Sequence, residues 1–225
     1  MIKRLIEFIS FKIFSPFKWD RIKFLFTGRE YDITPLQRDA IRATSGIGIF
    51  IWLTRRDSHL STYLISISDY ALSLLSYVKR GFKGQKPKWG FYAHAFTNID
   101  SDSYIEAISA GVLESKFDEV FNVDAVACLV PSKLEHDEWI NYSSKFVETV
   151  TSKKGSKYDA LFNIKDETEV SCIELIRLSL VHALGEDEYK LRFKEFEDLI
   201  SERGNLTPDM LRECGDFRIV FEYRE

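Results

Sequence analysis

Along residues 1 to 26, Ile2, Leu5, Ile6, Ile9 and Ile13 recur at helical spacing, and Lys3, Arg4, Lys12, Lys18, Arg21 and Lys23 fill the polar positions. The pattern predicts a basic amphipathic helix, which either docks on the domain's own core or lies on an anionic lipid surface. Residues 1 to 40 read as an N-terminal extension, and residues 41 to 225 as the folded domain. The apolar run from Ile47 to Leu53, closed by Arg55 and Arg56, predicts a buried strand. The period then changes. Leu60, Tyr63, Leu64, Ile67, Ala71, Leu74, Leu75 and Val78 recur every three or four residues with serines between them, and Gly81 is a stop signal, so this stretch predicts an amphipathic helix.

GFKGQKPK reads as a loop. FYAHAFTNI and SYIEAISA are short strand-like runs joined by the turn-rich DSDS, which predicts a hairpin. VDAVACLV, ended by Pro131, predicts another strand. Trp139, Ile140, Phe146, Val147 and Val150 mark a helix opened by Glu135, Asp137 and Glu138, acids that suit a helix N-terminus. In DETEVSCIELIRLSLVHAL an acidic stretch gives way to a long apolar helix with Cys172 at its start. A charged helix around YKLRFKEFEDLI follows, then a short helix at TPDMLRE opened by Thr207 and Pro208, and FRIVFEY closes the chain as a strand. No internal repeat is present, and the mixture of elements is α+β.

Composition narrows the class. Hydrophobic residues make up 45% of the 225 positions and charged residues 29%, which suits one globular domain with a substantial core. The net charge of −4, with no basic and aromatic interleaving along one element, argues against nucleic acid as a partner. Cys128, Cys172 and Cys214 are odd in number and lack CxxC spacing, so neither a disulfide framework nor a zinc knuckle is indicated. Neither a metal nor a cofactor is called for. A reducing, cytoplasmic setting fits best, with peripheral attachment to an anionic membrane through residues 1 to 26 as an option. The charges at Lys3, Arg4, Glu7 and Lys12 speak against a signal peptide, and no apolar run is long enough to span a bilayer.

Cys172 carries the chemical interest. A helix N-terminus offers partial positive charge and free backbone N–H groups, which stabilise a thiolate and can hold an oxyanion. The alternative is a buried cysteine packed as a small hydrophobe. Among the histidines, His182 lies ten positions along the same helix, about 15 Å up its axis, and cannot act as a base for Cys172. His136 and His59 sit in charged, solvated contexts. His94, inside FYAHAFTNI, remains.

Taken together, HAF, EAISAGV, GSKYDALF and SCIEL resemble, in order and spacing, the circularly permuted papain-like cysteine hydrolases of the YiiX and YebB type, relatives of the NlpC cell-wall peptidases. The resemblance covers residues 45 to 212. It implies a small antiparallel sheet packed on the nucleophile helix, with Cys172 as nucleophile, His94 as general base, Glu106 orienting the imidazole and Tyr158 lining the substrate cleft. The implied activity is cleavage of an amide or ester through an acyl-enzyme, on a cell-wall peptide or a lipid acyl group. Acyl transfer, as in proteins resembling lecithin retinol acyltransferase, and a catalytically silent membrane-associated binding module are the alternatives.

Hairpin geometry gives a sharp test. Only an odd loop, such as Asp100 to Asp102, sets Phe96 opposite Glu106 and places Glu106 diagonally beside His94 on one face. An even loop turns Glu106 away and moves the orienting role to a backbone carbonyl or Ser109.

Overall fold

A computed structural model describes residues 33–56, 66, 70–71, 73–75, 77–83, 90–121, 123–159, 169–203 and 206–224. The amphipathic segment expected at residues 1 to 26 lies outside the described residues. The fold is α+β, built on a six-stranded antiparallel sheet.

The chain enters through α1 (Pro35–Ser45), which spans the boundary expected at residue 40. Thr34 caps it and Pro35 occupies its first turn. It leads to β1 (Ile51–Arg55), β2 (His94–Asn98), β3 (Ser103–Ile108), β4 (Gly111–Lys116), a 3-10 turn at Phe117–Phe121 and β5 (Ala125–Pro131). Helices α2 (His136–Ser152), α3 (Cys172–Leu184), α4 (Glu186–Arg192), α5 (Lys194–Arg203) and α6 (Pro208–Glu213) follow, and β6 (Phe217–Tyr223) ends the chain. The strand order is β4-β3-β2-β1-β5-β6.

Strand β1 begins later than the apolar run suggested, at Ile51 instead of Ile47. The cause is Asn98, fully buried, whose amide accepts from the Phe50 N–H at 2.8 Å and donates to the Gly48 carbonyl at 2.8 Å. One side chain thereby ties Gly48 and Phe50 into a loop, and Ile47 is left 77% exposed.

Two apolar clusters hold the molecule together. One joins Ile51, Leu53, Ala95, Ile105 and Leu129 of the sheet to Ile173, Leu175, Ile176 and Leu180 of α3 and to Phe146 and Val150 of α2. The other gathers Trp52, Phe96, Tyr104, Phe117 and Cys128 with Ile33 and Ile41 from the α1 region. Helix α3 is central because nearly all of its sides are apolar, and it packs against β2, β3, α2 and α4.

The charged helix expected over YKLRFKEFEDLI is two helices. The break falls at Phe193, whose ring must stack on Tyr189 (5.2 Å between centroids) and also meet Phe217 (5.2 Å). A continuous helix would carry one of these contacts away.

Residues described as helical between 66 and 79 correct the expected amphipathic helix in another way. Ser66 and Ser73 are buried, while Leu74, Leu75 and Val78 are exposed. Leu60, Tyr63, Leu64 and Ile67 lie outside the described residues. Gly81 does end the helix, at φ +64°.

Among the described residues, no helix is long and apolar enough to cross a membrane.

Candidate active site

The site forms where β2 and α3 both begin. Ser171 caps α3: its hydroxyl accepts from the Glu174 N–H at 3.3 Å, and the Glu174 carboxylate accepts from the Ser171 N–H at 2.8 Å. This reciprocal capping box fixes Cys172 as the first helical residue, where its own N–H has no partner within the helix. The same interaction makes the bend from extended chain to helix sharp, so the sulfur sits at the helix mouth.

Strand β2 supplies His94 and β3 supplies Glu106. Phe96 stands opposite Glu106 and Thr97 opposite Ile105, the odd register, with the Ile99 N–H closing onto the Ser103 carbonyl at 3.0 Å. The Asp100 carboxylate accepts from the N–H groups of Asp102 and Ser103, both at 2.7 Å, and so fixes the three-residue turn. Glu106 is therefore a diagonal neighbour of His94, and its Oε2 lies 2.8 Å from His94 Nε2.

The second carboxylate oxygen is also engaged. Ser115 Oγ donates to Glu106 Oε1 at 2.9 Å. Because Leu113 stands opposite Glu106 and Ser115 opposite Tyr104, Ser115 is the diagonal neighbour of Glu106 from the other side. His94, Glu106 and Ser115 thus form one row across three strands.

With Nε2 engaged by Glu106, Nδ1 is the ring nitrogen that remains, and the Cys172 side chain lies near enough to the imidazole to act on its protonation. Burial opposes the imidazolium, but hydrogen bonds and charge from Cys172 and Glu106 outweigh it, and the His94 pKa is pushed up to about 9. Glu106 shows the complement. Burial raises its pKa, yet the bond to His94, then the charge of His94, the Ser115 hydroxyl and the charge of Arg56, hold the carboxyl below its ordinary range.

Tyr158 reaches the site through β4. Gly111, at φ +112°, leaves no room for a side chain, since a Cβ there would lie 2.7 Å from the Ser156 carbonyl oxygen. That close approach lets the Val112 N–H bond Ser156 and the Gly155 N–H bond Val112, each at 2.9 Å. Lys157 then bridges Glu169, and the two chain segments run together toward Tyr158 and Cys172. Tyr158 is half-buried, and burial followed by the charge of Cys172 and of two carboxylates, Asp159 and Glu174, raises its pKa.

The other candidates separate cleanly. His182 is exposed near the end of α3 and His136 is exposed at the start of α2; His59 lies outside the described residues. Cys128 is buried in the sheet, and burial pushes its thiol pKa up. Cys214 is only 5% exposed, because it caps α6 with its Sγ toward the Leu211 carbonyl. Burial pushes its pKa up to about 12.

Sequence reasoning missed Ser115 because it missed β4. GVLESK exposes half its side chains and lacks a clean alternation, so the turn signal of Ala110-Gly111 was the one available cue. The buried pair Asp159 and Glu174, each 4% exposed near Cys172, also went unread. No family model, curated protein or solved structure matches the chain, so the chemistry of the site is argued from its own geometry.

Proposed function

We propose that this protein is a cysteine hydrolase, cleaving an amide or ester through an acyl-enzyme on Cys172, on a permuted papain-like scaffold in which the histidine strand precedes the nucleophile helix. The observation that carries the reading is the His94 imidazole bonded to the Glu106 carboxylate at 2.8 Å, with the Cys172 side chain near enough to act on its protonation.

His94, protonated up to a pKa of about 9, already carries the proton shared with Cys172 and stands as an imidazolium beside the sulfur as it attacks the carbonyl carbon. The N–H of Cys172 at the helix start faces the oxyanion that forms. As the intermediate collapses, the C–N or C–O bond breaks and His94 gives its proton to the leaving amine or alcohol. Water, deprotonated by His94, then attacks the thioester, releasing the acid and restoring the thiol. Glu106 keeps the imidazole oriented throughout, and Ser115 keeps Glu106 oriented. Tyr158 stands beside the thiol, where it would contact the acyl portion of a substrate.

An amine or alcohol in place of water would make the same site an acyltransferase, and the residues present serve either acceptor. A catalytically silent scaffold is disfavoured, because it has no chemical use for a partly buried His–Glu pair beside a thiol. Burying such a pair costs desolvation that function compensates elsewhere.

The test is intact mass after incubation with panels of acyl-lipid and peptide substrates. The proposal expects an acyl adduct that maps to Cys172 and is lost in Cys172→Ser. An adduct on another residue, or substrate turnover unaffected by loss of Cys172, would refute it.

A further inference from the structure

Among the described helical residues between 66 and 79, two serines are buried while three large apolar side chains, Leu74, Leu75 and Val78, are exposed. Ser66 and Ser73 are 7% and 9% exposed, whereas Leu75, Val78 and Phe82 are 57%, 46% and 66% exposed. Leu75 and Val78 are one turn apart on the helix, and Phe82 follows in the turn that ends it. An ordinary surface helix does the reverse, so this stripe is built to be covered by something other than the domain's own core.

The end of the helix is held rigidly. The Gly81 N–H bonds the Val78 carbonyl and the Phe82 N–H bonds the Tyr77 carbonyl, both at 2.9 Å, which is the paired bonding of a Schellman motif. Phe82 itself is at φ +65°, a conformation that costs a bulky residue energy, and its ring rests edge-on against Tyr77 at 5.6 Å. Arg80 fastens the turn to α5 through the Glu202 carboxylate at 2.8 Å. An exposed aromatic is thus presented on a firm, strained turn.

Charge identifies what it meets. Lys79 and Lys83 flank Phe82 and are exposed, and the sequence KRGFKGQKPK from 79 to 88 carries five cations and no acid in a chain of net charge −4. From these features we propose that the Leu75, Val78 and Phe82 stripe docks on an anionic lipid surface, with Phe82 entering the acyl boundary and the lysines meeting the headgroups. The chain's own N-terminal segment is itself basic and would be repelled by this turn. A second copy, related by a two-fold axis, would set like lysines against each other.

This surface does not depend on the thiol chemistry proposed above, but together they favour an acyl-lipid as substrate. The experiment is flotation of the full chain with phosphatidylcholine vesicles, with and without phosphatidylserine, at low and high salt. Wild type should bind the anionic vesicles preferentially and release with salt. Leu75→Ser/Val78→Ser/Phe82→Ser should bind at least about tenfold more weakly, a change of about 1.4 kcal/mol, and Lys79→Glu/Lys83→Glu should lose the anionic preference. Phe82→Ala, a single change on the turn, serves if the triple variant loses its native circular dichroism. Alkylation of Cys172 should be the same in all of them, which separates this inference from the catalytic one. Vesicle binding unaffected by these changes overturns it, as does a lipid-independent dimer of wild type that the stripe variant abolishes.

Discussion

Glu106 Oε2 lies 2.8 Å from His94 Nε2, and the two residues are diagonal neighbours across the β2–β3 hairpin. The pair has a titration consequence. His94 holds its proton up to about 9, above its ordinary 6.5, because bonds to Cys172 and Glu106 outweigh burial. Its contribution to stability is therefore fully present below about 6.5 and is lost as pH rises toward about 9. Removing either partner should lower the pKa. By NMR, the imidazole resonances should titrate near 9 in wild type, and at lower pH in Glu106→Gln and in Cys172→Ala. The stability lost in Glu106→Gln should be about 1–3 kcal/mol at mildly acidic pH and should shrink above the wild-type pKa. A wild-type midpoint near that of free histidine would contradict this account.

Differential alkylation checks the nucleophile. All three cysteines are buried by area, so access alone does not distinguish them. Cys172 is the one of the three that acts on the protonation of the His94 imidazole, whereas burial raises the pKa of both Cys128 and Cys214. Iodoacetamide at neutral pH should label Cys172 at least about tenfold faster than either, since thiolate fraction and access set the rate. His94→Ala should slow Cys172 and leave Cys214 unchanged, and Glu106→Gln should slow it less. Equal labelling of Cys172 and Cys214 in native protein would remove the case for a nucleophile.

The hairpin was legible in the sequence because a period of two and a short turn leave few registers, and only one puts Glu106 beside His94. The helix start at Cys172 was legible for a similar local reason, since an acidic stretch gives way there to a long apolar run. What stayed hidden depends on contacts between distant segments. Strand β4 forms where Gly111 meets Ser156, forty-odd positions further on, so its serine could not be assigned to the site. Cys214 is buried by the packing of α6 beside β6, which no local pattern reports. Leu74, Leu75 and Val78 keep the expected spacing yet are exposed, because period alone does not say which stripe is covered.

Gly111 should be intolerant of a side chain. At φ +112° an L residue is strained, and its Cβ would press on the Ser156 carbonyl at 2.7 Å. Gly111→Ala should destabilise by about 1–3 kcal/mol in urea unfolding. Because the Val112–Ser156 bonds lead the chain to Tyr158, it should also change substrate handling more than Tyr158→Phe does. An alanine variant as stable as wild type would show that the 155–158 segment is not held by this approach.

Glu174 offers a change in the stabilising direction. It is 4% exposed, and burial raises its pKa; the Ser171 bonds pull it down, while the charge of Asp159 and a hydrogen bond between the two carboxyls push it up, for a net rise. In the folded protein the ionised form is thus disfavoured relative to the unfolded chain, and stability from this group falls as pH rises through its folded pKa. Glu174→Gln keeps an oxygen to accept from the Ser171 N–H, removes the buried charge, and lets the amide donate to Asp159. The variant should be more stable than wild type near neutral pH by about 0.5–1.5 kcal/mol, the range of one such hydrogen bond, with the advantage narrowing as acid protonates the native glutamate. Paired thermal unfolding at neutral and acidic pH measures this directly. A variant destabilised equally at both would mean that the ionised carboxylate is needed to cap α3 and hold Cys172 at its start.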